Sequence, residues 1–364
     1  MKYLRSWGLS AAAALVLAAC GGGGDGDQSP RVRYSSVVSF GDSLSDVGTY
    51  ATATLKAATG GGKYTVNASD NKNWTELIAA AAGTPAPCAA QTGLESSGPL
   101  VAFAEAKTNH AGCYGYGQGG SRVTNPVGPG NKALIALGDT SGYVGQLTDP
   151  VINQINRHLA STAAGSFSGT ELVTMLAGGN DVFLNLATFA ATVGAGGDAT
   201  VAGGAAVTAM GTAGAELAGY IKALIVAKGA KRVVVVTLPD VSQTPLGYSQ
   251  PASVQGLINT MVTTFNSQLT SGLAGTTGVL IVDAYTQGRL QTASPVQYGV
   301  TNTTVPACDL TKTVFASSLV CSAATLIAGD VSRYAFADSV HPTPYTYRLL
   351  AQYVTDQMLK AGWL

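Results

Sequence analysis

The sequence predicts an α/β protein, a three-layer α/β/α sandwich. Short apolar runs recur along the chain, and longer segments with helical periodicity separate them. The most apolar run, "RVVVVTL" from Arg232, is β-branched on both faces. Such a strand suits the middle of a parallel sheet covered by helices on both sides. Strands alternating with helices build that architecture.

Four runs read as strands: 36–40, 172–177, 232–238 and 279–282. Leu217, Ile221, Leu224 and Ile225 fall on one helical stripe, and Gly229 stands where that helix would stop. The last helix starts at Pro344 with Thr343 as its cap. Leu349, Leu350, Tyr353, Val354 and Met358 form its expected buried face. Residues 84–129 are rich in Gly, Pro and polar residues and read as excursions around one strand. Residues 187–215, nearly all small, read as loose helix and loop.

The chain starts "MKYLRSWGLSAAAALVLAAC". Lys2 and Arg5 precede an apolar stretch too short to span a bilayer, so residues 1–19 read as a signal peptide. Leu17-Ala18-Ala19-Cys20 looks like a bacterial lipobox, with Cys20 lipidated. Residues 20–34 form a flexible tether and 35–364 the folded domain. The expected location is therefore outside the cytoplasm, on a membrane through the lipid. Three Asn-x-Ser/Thr triplets, at Asn67, Asn73 and Asn302, are discounted because a lipobox points to a bacterium.

Composition is 46% hydrophobic and 11% charged, with zero formal net charge. That favours a packed globule and offers no electrostatic case for nucleic acid. Apart from Cys20, four cysteines remain: Cys88, Cys113, Cys308 and Cys321. An exported chain can pair them as two disulfides, and sequential pairing is expected. No C-x-x-C, H-E-x-x-H, P-loop or G-x-S-x-G occurs. Gly115, Gly117 and Gly120 spell G-x-G-x-x-G, but no helix follows, so nucleotide binding is not expected.

Three histidines occur. His158 lies in a polar helical stretch and reads as a solvated surface residue. His110 lies in a loop without a nearby acid. His341 follows Asp338 by three residues, a spacing that lets the carboxylate turn back onto the imidazole. A base of that kind activates a serine. Ser43, in "VVSFGDSLSDVG", follows a strand, where ligands of α/β sheets bind. Read alone, that stretch is more readily a strand followed by a helix capped by Ser43, Ser45 or Asp46. "AGGNDVF" similarly ends a strand, with Asn180 either a helix cap or an amide donor.

"FGDSLSD", "GGND" and "DSVH", in this order, resemble the SGNH or GDSL hydrolases. "NWTELIA", "LPDVSQTPLG" and "HPTPYTYRLLA" look like bacterial members. The resemblance runs from about Val37 to the C-terminus. It implies a flavodoxin-like sheet of about five parallel strands and a serine ester hydrolase without metal or cofactor. Ser43 would be the nucleophile, His341 the base and Asp338 its acid. The N–H groups of Ser43 and Gly120 and the Asn180 amide would form the oxyanion hole. The Gly120 segment, "CYGYGQGGSRV", is the weakest match, with Gly119 the alternative. The expected substrate is a lipid-type or short-chain carboxylic ester. Polysaccharide acetyl esters and phospholipids are the alternatives, and a catalytically silent binding protein is the reading from another class.

Overall fold

The computed structural model describes residues 32–364. The signal, Cys20 and the tether up to residue 31 lie outside the described residues.

Four parallel strands form the central sheet: β1 (Val37–Gly41), β4 (Leu172–Leu176), β5 (Val233–Val236) and β6 (Val279–Val282), in the order β1-β4-β5-β6. Their registers are in step, with Val37 opposite Leu172 and Val233 opposite Val279. Side chains of a strand alternate between the two faces, so each strand supplies both layers. Val38, Phe40, Val173, Met175, Val233 and Val235 enter one core. There they meet α3 (Val151–Ser161), α5 (Ala199–Tyr220) and α7 (Ala252–Leu273). Val37, Leu172, Leu176, Val234 and Val236 enter the other. That core is covered by α2 (Trp74–Ala81) and α9 (Pro344–Lys360). The three-layer architecture follows from the β-branched runs, because only two-sided cover hides them.

The fifth strand exists only in rudiment. Gly115 makes a single parallel bridge to Ser39 on the outer side of β1 and another to Ala89. A Cβ on Gly115 would lie 2.4 Å from Val47 Cγ2 and 2.8 Å from the Cys88 carbonyl. Glycine thus permits this close approach, and the same glycine-rich composition stops the segment from extending as a strand.

Residues 84–129 hold more structure than expected. β2 (Gln91–Leu94) and β3 (Glu105–Asn109) pair antiparallel, apart from the main sheet. The disulfides pair as expected, Cys88 with Cys113 and Cys308 with Cys321. Residues 187–215 are mostly regular helix rather than loose. α4 (Gly179–Gly194) and α5 cover them except for a short connection. Alanine's high helix propensity outweighs the interspersed glycines there. Leu217, Ile221 and Ile225 are buried as the stripe required, although the chain passes through a π-turn at Ile221–Val226. α9 begins at Pro344 with the Thr343 hydroxyl capping it. Its buried face includes Tyr347 and Ala351 rather than Leu349.

Among the described residues no helix is long and apolar enough to cross a membrane.

Candidate active site

β1 delivers the chain to a single 3-10 turn, Ser43–Ser45, rather than to a full helix. The cap is Asp42, whose Oδ1 accepts the Leu44 N–H at 3.0 Å. Ser43 and Ser45 lie inside the turn, and Asp46 ends it as the C-terminal cap, its N–H donating to Ser43 O. The end of β1 is gripped by Gln154 of α3, which accepts from Gly41 N–H at 2.9 Å and donates to Gly41 O at 2.8 Å. Ser43 is thereby set at the carboxyl edge of the sheet.

His341 comes from the loop before α9. Its Nε2 lies 2.8 Å from Ser43 Oγ, and its Nδ1 lies 2.7 Å from Asp338 Oδ2. Asp338 is buried, which alone would push its carboxyl up. His341, Ser318 and the Val340 amide overcome that cost and hold it well below the usual carboxylate range. An ionised carboxylate only accepts. The His341 proton therefore sits on Nδ1, and Nε2 is left to accept from the Ser43 hydroxyl. The Tyr64 ring packs on the imidazole, with centroids 4.7 Å apart.

Asn180 and Asp181 open α4, and both tie down the glycine-rich segment. Asn180 Nδ2 donates to Ser121 O at 2.8 Å. Asp181 accepts from Arg122 Nε at 2.9 Å and from Val123 N–H at 3.0 Å. Gly119 and Gly120 differ in their amides. The Gly119 N–H donates to Asp46 Oδ2 at 2.9 Å and is committed. The N–H groups of Gly120 and Ser43 have no acceptor among the described residues. Asp46 also receives the Gly48 and Thr49 amides at 2.8 and 2.7 Å, so it braces the Ser43 loop. Burial pushes the carboxyls of both Asp42 and Asp46 up to about 6.

Ser43, Asn180 and His341 open onto one cleft. Its walls are largely apolar, with Leu44, Phe183, Leu238, Val300, Phe336 and Leu350 prominent. No cluster of metal-ligating residues occurs among the described residues.

The other two histidines lie elsewhere. His110 Nε2 contacts Thr92 Oγ1 at 2.8 Å. His158 is not the solvated residue its polar neighbours suggested. It is buried among Phe40, Tyr114, Tyr116 and Phe167, and burial pulls its imidazole down to about 4. Helical spacing carried the missing signal, because Val151, Ile155 and His158 fall on one face of α3. Sequence reasoning also missed Tyr64, Gln154 and Ser318, which support the site without carrying a motif.

The Asn-x-Ser/Thr asparagines at 67 and 73 are built into the fold. Asn73 caps α2 in a capping box. Asn67 Nδ2 donates to the backbone carbonyls of Ser318, Leu319 and Cys321.

A family model described as GDSL-like lipase/acylhydrolase matches residues 37–354. No curated protein matches the chain.

Proposed function

The chain belongs to the GDSL-like lipase/acylhydrolase family, and from that premise we propose that it is an exported serine hydrolase of carboxylic esters. Family membership makes it a hydrolase acting on esters. The Ser43–His341–Asp338 relay, with contacts of 2.8 and 2.7 Å, carries the serine mechanism.

In this mechanism Ser43 Oγ bonds to the acyl carbon as His341 Nε2 takes the hydroxyl proton. The carbonyl electron pair moves onto oxygen. The N–H groups of Ser43 and Gly120 and the Asn180 amide hold that oxyanion. The intermediate collapses, the bond to the alcohol oxygen breaks, and His341 returns the proton to it. Water then repeats the sequence on the acyl-enzyme and releases the acid. Asp338 stays ionised, orients the imidazole and stabilises its charged form. Every step uses groups of the chain and water.

The apolar cleft favours a lipid-type acyl group over acetyl esters of polysaccharide, because apolar surface leaves water when an alkyl chain fills it. The lipobox at Cys20 adds a membrane tether to this reading. The deciding experiment is hydrolysis of p-nitrophenyl esters of rising acyl length. Wild type is expected to prefer chains longer than acetyl, and Ser43→Ala to lose about 10⁴-fold or more in kcat. Equal rates for wild type and Ser43→Ala, or no hydrolysis of any ester, would falsify the enzyme reading. A preference for acetyl would transfer it to the carbohydrate esters.

A further inference from the structure

Asp338 receives three backbone amides. Val340 and His341 donate to Oδ1 at 2.9 and 2.8 Å. Both belong to the tight turn that any Asp-x-x-His loop of this shape makes. The third comes from far along the chain. Ser318 N–H donates to Oδ2 at 2.7 Å, the oxygen that also faces His341 Nδ1.

We propose that the backbone N–H of Ser318 is a positioning donor for the acid of the relay, held to that task by the Cys308–Cys321 disulfide. The proposal rests on the Ser43–His341–Asp338 reading. Ser318 opens the 3-10 turn Ser318–Val320, whose last cap is Cys321. At the other end of the disulfide, the Cys308 N–H donates to Ala337 O at 3.0 Å, immediately before Asp338. The bridge thus joins the donor's turn to the acceptor's own segment. Asn67 secures the same turn from the opposite side, donating Nδ2 to Ser318 O at 3.1 Å and to Cys321 O at 2.9 Å. Ser318, Cys321 and Asp338 are all buried, so no water replaces the amide if it is removed.

The test uses the full chain and p-nitrophenyl butyrate. Ser318→Pro deletes the amide donor together with the hydroxyl, which itself makes no hydrogen bond in the structure. Proline is accommodated at the first position of a helical turn, and Ser317 already has the extended backbone (φ −150°, ψ 150°) that proline demands of its predecessor. Ser318→Ala keeps the amide. The proline variant is expected to lose about 10–100-fold in kcat with little change in KM. Its acidic limb of kcat/KM should move to higher pH. The amide presents the positive end of its dipole to the pair, and its loss removes opposition to charge on the imidazole. The titratable groups that face the pair are Asp42 beside His341 and Tyr64 and Tyr347 beside Asp338, and neither variant replaces any of them. The alanine variant should keep the limb where wild type has it. A proline variant with wild-type kcat and limb, or an alanine variant shifted as far, overturns the proposal. If the proline variant does not fold, Cys308→Ser/Cys321→Ser serves instead. Its limb should move in the same direction, and an unmoved limb counts against the idea. Ester hydrolysis surviving in Ser43→Ala would instead sink the underlying relay, so the two failures are distinct.

Discussion

The Asn180 side chain donates one N–H to the carbonyl of Ser121, at 2.8 Å. An amide nitrogen carries two donors. The first fixes the rotamer, and the second is left for the cleft that Asn180 lines. Preorganisation of this kind lets a donor act on developing charge without first being ordered.

Replacing Asn180 by alanine is therefore expected to lower kcat by about 10²–10³-fold with little change in KM. Steady-state kinetics on one p-nitrophenyl ester checks this. A loss confined to KM would assign Asn180 to ground-state binding instead.

Gly120 is expected to tolerate no side chain. Its φ is +79°, and a Cβ there would lie 2.5 Å from both the Pro129 carbonyl and Thr148 Cγ2. Gly120→Ala must move its own amide or its neighbours. The variant should lose at least about 10-fold in kcat and unfold at a lower temperature. Wild-type turnover in this variant would remove the Gly120 amide from the oxyanion hole.

The buried imidazole of His158 makes stability depend on pH. Its folded value is pulled down to about 4, against an ordinary 6.5. Between those values the unfolded chain binds a proton that the folded chain refuses. Stability is therefore lost as pH falls from 6.5 towards 4, by a few kcal/mol at most, of order 2–3. Asp42 and Asp46 act in the opposite sense, because carboxyls raised to about 6 stabilise the fold below pH 4 and lose that contribution as pH rises through 6. The His158 part is isolated by His158→Phe, which keeps the aromatic packing. Urea midpoints at pH 7 and pH 4.5 should differ less against acid in the variant than in wild type. Identical pH dependence in both proteins would contradict the burial argument.

The lipobox reading predicts that Cys20→Ser releases the protein from membranes. Fractionation of cells expressing each form checks it, and undiminished membrane retention of the serine form rejects the tether.

Legibility followed the physics of each feature. The sheet was readable because Val233–Val236 must be covered on both faces, as a parallel sheet between helical layers covers them. Asp338 and His341 were readable because they stand three residues apart in one loop. The rudimentary fifth strand was not, because Gly115 pairs through the backbone and leaves no side-chain pattern. The Ser318 donor was equally invisible, since any residue but proline supplies an N–H. His158 was misread because its neighbours in sequence are polar, whereas the rings that bury it, Phe40, Tyr114, Tyr116 and Phe167, come from other segments of the chain. The different commitments of the Gly119 and Gly120 amides were also invisible, since the acceptor of the Gly119 N–H, Asp46, is distant in the chain.

The two walls of the cleft differ in what redesign of substrate preference would disturb. Val300 stands before the disulfide-bridged segment 308–321, which hydrogen-bonds through Cys308 N–H to Ala337 O beside Asp338, and Phe336 stands two residues before Asp338. Gln287 and Gln291 line the cleft from α8 (Ala284–Ala293) and form no hydrogen bond with the relay. A mutant library aimed at acyl-length selectivity should therefore diversify α8. Variation of the bridged wall would select for repaired turnover and new selectivity at once, and the two traits would not separate in a screen.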